Sequence, residues 1–166
     1  SSKKNTQNII LQWIEKNQRY NFKAWEVDIV AQRTIAWISN SRLTYEDGKS
    51  DYKKKFNNVI KKQINHLINE IEKSEWVDDK MIGCSAIILA GLSYQDKDNH
   101  LKTGLSLLKK LVKFSFDNDG FPKSRNIRQL NFYLKYFILI REWLKESQNE
   151  IPNYINENIY YLGQAY

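Results

Sequence analysis

Apolar residues recur three and four positions apart along most of the chain, and short polar stretches break that rhythm. Ile9, Ile10, Trp13 and Ile14 share one face of a first helix, which Asn5 or Thr6 caps and which ends near Asn17. Ala24 opens a second helix marked by Val27, Val30, Ala31, Thr34, Trp37 and Ile38, and Ser39 to Ser41 stop it. Arg33 sits beside its apolar face. After a turn at Tyr45 to Gly48, the residues Tyr52, Phe56, Val59, Ile60, Ile64, Leu67 and Ile71 keep the rhythm over a long third helix. A fourth, capped by Asp78 or Asp79, has almost no polar face from Met81 to Leu92 and belongs at the centre, packed on several sides. Asp96 to Asn99 lead to an amphipathic fifth through Leu101, Leu105, Leu108 and Leu111. Leu130, Tyr133, Phe137, Ile140 and Leu144 mark a sixth, and Pro152 starts the last at its favoured position. No stretch alternates with period two for long enough to make a strand. The pattern predicts an all-α chain of about seven helices in antiparallel hairpins, one domain over residues 1–166.

One long segment, Ser115 to Arg128, cannot continue the helices on either side. Gly120 permits positive φ, Pro122 fixes φ and removes a donor, and Asp117, Asn118 and Ser124 compete for backbone hydrogen bonds. Held between helices, Lys123, Arg125, Asn126 and Arg128 offer cationic and amide donors to a carboxylated or sulfated ligand. The plainer reading is an ordinary connection with solvated charges. Asp117 and Asp119 are close enough to suggest a glycosidase pair, but in a stretch rich in Asn and Gly, Asx turns are the better reading.

A formal charge of +7 favours polyanions: acidic polysaccharide, nucleic acid or an anionic surface. The lysines at 53–55, 61–62 and 109–110 run along helix faces and read first as solvated exteriors. Trp25 and Trp37 lie twelve residues apart on one helix and so point in different directions. One of them can face a groove and stack under a sugar, although packing is the commoner task of a Trp ring. Cys84 is the single cysteine, in an apolar run, and reads as core. His66 and His100 lack the spaced companions of a metal site, and His66 reads as a half-exposed helix residue. No phosphate loop, serine elbow or dinucleotide fingerprint occurs, so neither metal nor cofactor is implied. No signal core or membrane span is legible, and the compartment stays open. Because Met does not precede Ser1 and Tyr166 falls within a helical pattern, the chain reads as a piece of something longer.

Trp13-Ile14, Ala24-Trp25 with Arg33 and Trp37-Ile38, the run Ala86 to Leu92, and Asp119-Gly120 with Ser124 to Asn126, in that order, resemble the helical domain of the heparinase II/III family. The resemblance covers most of the chain. It implies an incomplete α/α toroid followed by a C-terminal β-sandwich domain that contributes part of the active site. It also implies β-elimination at a uronic acid, which needs a neutralised carboxylate, a base and an acid. The family's Asn-His pair is replaced here by Asp78-Asp79. Its catalytic Tyr segment is replaced by Ser124 to Gln129, with neither Tyr nor His, and two carboxylates at the first position repel an anionic substrate. The function implied is that of a polysaccharide lyase's helical half. The alternative is a binding or scaffolding module of the same shape without turnover. In either case the implied ligand is a uronic-acid-bearing polysaccharide, bound by Trp25, Arg33, Trp37, Lys123, Arg125, Asn126 and Arg128 along a concave side. Nucleic acid is disfavoured as a partner, and no membrane is implied.

Overall fold

A computed structural model describes residues 1–94, 99–124 and 126–164. Among these the fold is all-α. The helices are α1 (Ser2–Lys16), α2 (Val27–Ser39), α3 (Ser41–Thr44), α4 (Ser50–Glu70), α5 (Val77–Ser93), α6 (His100–Ser115), α7 (Ile127–Glu146) and α8 (Asn153–Gly163). A 3-10 turn, Ile71–Lys73, tightens the end of α4. The only β-type pairing among the described residues is an isolated antiparallel bridge between Phe116 and Pro122.

The nearly all-apolar helix is central, as its sequence predicts. Met81, Ile82, Cys84, Ala86, Ile87 and Ile88 are all buried, and α5 touches α2, α4, α6 and α7. Gly91 lets α6 approach closely, because a Cβ there would lie 2.4 Å from the backbone nitrogen of Leu101. The buried residues form one continuous cluster running from Ile10 to Leu162. Cys84 belongs to it, and burial pushes its thiol up to about 12.

Five contacts fix the helix directions. The starts of α2 and α5 lie side by side, since Asp79 senses Asp28 and Glu26. The start of α7 joins them where Tyr133 Oη donates to Asp78 Oδ1 at 2.7 Å. Helices α2, α5 and α7 therefore run the same way, with α5 between the other two. Around them α1, α4, α6 and α8 run the opposite way. Lys3 Nζ meets Asp47 beside the start of α4, Glu72 beyond the end of α4 meets Lys110 near the end of α6, and Tyr161 near the end of α8 meets Gly120 just past α6. The molecule thus has an inner row of three parallel helices and an outer row antiparallel to it.

Element boundaries differ from the sequence reading for local reasons. The α1 helix starts earlier, because Ser1 Oγ accepts from Lys4 N. The α2 helix starts at Val27 instead of Ala24, because Asn21 folds residues 21–25 into a turn, its Oδ1 accepting from Ala24 N and its carbonyl from Trp25 N. Trp76 occupies the N-cap of α5, which places Asp78 and Asp79 in its first turn. The connection assigned to Asp96–Asn99 lies outside the described residues except for Asn99, as does Tyr166. No described helix is long and apolar enough to cross a membrane.

Candidate functional site

The connector between α6 and α7 is a built turn. Asp117 Oδ1 accepts from Asp119 N and Phe121 N, both at 3.0 Å, so this acid is an Asx-turn residue. Lys123 N donates to Ser115 O at 2.9 Å, which closes the loop below the Phe116–Pro122 bridge. Gly120 is required twice over. Its φ is 81°, and a Cβ would lie 2.7 Å from Tyr161 Cβ. Asn126 is the N-cap of α7, its Oδ1 accepting from Arg128 N at 2.9 Å, which leaves the amide nitrogen as its available donor. Lys123, Asn126 and Arg128 are exposed, whereas Arg125 lies outside the described residues.

The surroundings of that connector are acidic. Ser124 Oγ donates to Gln129 Oε1, and Gln129 Nε2 and Tyr133 Oη both point to Asp78 Oδ1. Asp79 is held above the ordinary carboxylate range by burial, and then by repulsion from Asp28 and Asp78. Tyr133 is pushed the same way by burial and by Asp78, so its hydroxyl keeps its proton at neutral pH.

Trp25, Arg33 and Trp37 do come together. They pack in the wedge between α1, α2 and α4. Arg33 Cζ lies 4.1 Å from the Trp13 ring centre, 5.8 Å from that of Trp25 and 6.0 Å from that of Trp37. Its Nε donates to Gln63 Oε1 at 2.5 Å and its Nη2 to Ala24 O at 2.8 Å. Trp25 is 2% exposed, so both faces of its ring are spent on packing, against His66 and Lys62 among others. His66 is half-buried and its Nε2 lies 2.7 Å from the Trp25 carbonyl. Sequence reasoning missed Trp13 and Gln63, since only tertiary packing brings α1 and α4 to Arg33.

A second feature that single-helix reasoning missed is the outer wall. On α4, Lys54, Lys55, Lys61 and Lys62 are exposed and spaced by seven, hence on one face, with no acid between Asp51 and Glu70. On α6, which contains no acid at all, Lys102, Lys109, Lys110 and Lys113 are exposed along one stripe. The helices run alongside each other above α5, separated by two hollows. The smaller, of about 170 Å³, is lined by Lys61, Ile64, Tyr94 and His100. The larger, of about 360 Å³, is lined by Glu72, Lys80, Lys110 and Phe114. Phe114, 62% exposed, closes the stripe on α6 with Lys113 Nζ 5.9 Å from its ring centre.

Among the described residues no group of three or more His, Cys, Asp or Glu is placed to hold a metal ion. No protein-family model, curated protein or solved structure matches the chain.

Proposed function

We propose that the chain is a helical module that binds an acidic polysaccharide through the lysine wall of α4 and α6, without turning it over. The observation that carries the reading is the segregation of charge: eight exposed lysines in two adjacent stripes, without an acid among them on either helix. Successive lysines seven apart on a helix are about 10.5 Å apart, comparable to the length of a disaccharide, so one stripe can meet regularly spaced sugar carboxylates. Lysine supplies mobile point charges suited to a repeating polyanion. The wall has no arginine fork to read phosphate and base edges, and Phe114 is the one ring at its end, which disfavours nucleic acid.

The layering supports the toroid part of the reading. An inner row of parallel helices with an antiparallel outer row is how an incomplete α/α toroid would begin. The lyase half draws less support. At the inner-helix starts, where a base would be needed, Tyr133 offers a phenol, and burial and Asp78 hold its proton in place. Four acids, Glu26, Asp28, Asp78 and Asp79, also sit at this end, opposing a uronate.

The test is retention on immobilised polyuronate at increasing NaCl, together with the ultraviolet absorbance of an unsaturated uronate in a mixed incubation. The reading predicts salt-labile retention and no absorbance change. Absence of retention at low salt would overturn the binding claim, and a steady rise in absorbance would overturn the claim of no turnover.

A further inference from the structure

The larger hollow beside α6, of about 360 Å³, differs in kind from the lysine wall around it. The buried Ile71, Cys84 and Leu111 and the half-buried Leu107 form its floor, where the 3-10 turn, α5 and the second half of α6 meet. Ser115 supplies the one hydroxyl among the described lining residues, so a sugar ring would find few hydrogen-bond partners there. Phe114, 62% exposed, adds an uncovered ring to the same lining. Three charged side chains complete it: Glu72, Lys80 and Lys110. Lys110 Nζ meets Glu72 Oε1 at 2.7 Å, and both side chains are more than half exposed. Lys80 belongs to none of the described ion pairs. Glu72 is held below the ordinary carboxylate range by its bond to Lys110 and, to a lesser degree, by the charge of Lys80, so the three groups sense one another. Two cations against one anion leave a single positive charge over an apolar floor. Lys113, with Nζ 5.9 Å from the Phe114 ring centre, strengthens the positive field on that side.

We propose that this hollow is a binding site for a small aromatic monocarboxylate, its ring seated on Ile71, Leu107 and Leu111 against Phe114 and its carboxylate between Lys80 and Lys110. The volume falls within the range of small-molecule sites, about 300–1,000 Å³, and the lining has their character: mostly apolar, with a few polar groups that fix orientation. The uncovered ring of Phe114 selects a flat aromatic body over a sugar or a flexible chain. The single surplus charge selects one carboxylate over a polyanion. An exposed pair such as Lys110 with Glu72 is weak in water, so Lys110 can turn to the ligand without disturbing the core. The site does not rest on polysaccharide binding by the wall, although Lys110 belongs to both.

The experiment is calorimetric titration of the whole chain with 2-naphthoate. Separate titrations use 2-naphthylmethanol, which keeps the rings without the charge, and decanoate, which keeps the charge on a flexible chain. The wild type should bind 2-naphthoate saturably, one per chain, and both other probes more weakly. Lys80→Gln with Lys110→Gln should lower the affinity about tenfold. Phe114→Ala, at an exposed position that leaves the core intact, should lower it about fivefold. Glu72→Gln frees Lys110 and removes the competing anion, so it should raise the affinity about threefold. Polyuronate retention of the same samples is scored apart, so that either reading can fail alone. Absence of saturable 2-naphthoate binding by about 1 mM would overturn the proposal. Equal binding of 2-naphthylmethanol, or tighter binding of decanoate, would overturn it as stated. So would a Glu72→Gln variant that binds 2-naphthoate more weakly than the wild type.

Discussion

Arg33 and the lysines of α4 and α6 are all cations of the same basic chain, yet they sit in opposite physical settings. Arg33 is wedged among three tryptophans, bonded to an amide and a carbonyl, and desolvated enough to lower its pKa to about 10. The wall lysines stand in water on outward faces, and Lys110 keeps an exposed pair with Glu72 at 2.7 Å. The first cation is fixed in place by its neighbours and bears on stability. The others are exposed and, although Lys62 also donates to Gln18 O and lies over the Trp25 ring, they bear on association and its salt dependence. A net charge of +7 does not distinguish these settings; their placement on the layers does.

Substitutions can press on that contrast, beginning with the wedge. Trp25→Ala removes a ring that is 2% exposed and should cost about 3–5 kcal/mol in urea unfolding. A cost below about 1 kcal/mol would mean that the wedge is not part of the core. Tyr133→Phe should cost about 1–3 kcal/mol, since it removes the donor to Asp78 from an interior position. Asn126→Ala strips the N-cap of α7 and should cost about 1 kcal/mol. Smallest of all, Lys54→Ala with Lys109→Ala, both exposed, should change stability by no more than about 0.5 kcal/mol while weakening polyuronate binding severalfold.

Alkaline pH separates core from surface in another way. Burial pushes Tyr52 and Tyr94 up to about 12, and Tyr133 in the same direction. An unfolded tyrosine ionises near about 10, so above that pH the folded state holds protons that the unfolded chain has released. Their stabilisation is therefore complete below about pH 10 and is lost as pH rises toward 12. Arg33, lowered to about 10, works in the opposite sense, but as one group against three. Tyrosinate absorbance should lag behind that of the denatured chain and then rise together with loss of the helical signal. Titration of all tyrosines near pH 10 with the helices intact would contradict their burial.

Much of the fold is legible in the chain because the helices carry their own periodicity, and Met81 to Leu92 announce the central helix by lacking a polar face. The four-residue α3 is too short to show a period, and the start of α2 is hidden because Asn21 competes for the backbone of Ala24 and Trp25. The connector's turn chemistry is legible at Asp117 and Gly120, whose roles are local. The site is less so. Spacing along α2 groups Arg33 with Trp37 and leaves Gln63 and Trp13 out, because their approach depends on how α1 and α4 pack. For the same reason, the lysines of α4 show as a stripe in the sequence, whereas their adjacency to those of α6 depends on the layer order.

The most direct measurement is calorimetric titration of one polyuronate into the wild type, into a wall variant and into a connector variant. The wall variant combines Lys54→Gln, Lys61→Gln, Lys109→Gln and Lys113→Gln, and the connector variant combines Lys123→Gln with Arg128→Gln. The account predicts at least tenfold weaker binding in the wall variant and less than twofold change in the connector variant. Full binding by the wall variant, with loss confined to the connector variant, would contradict it.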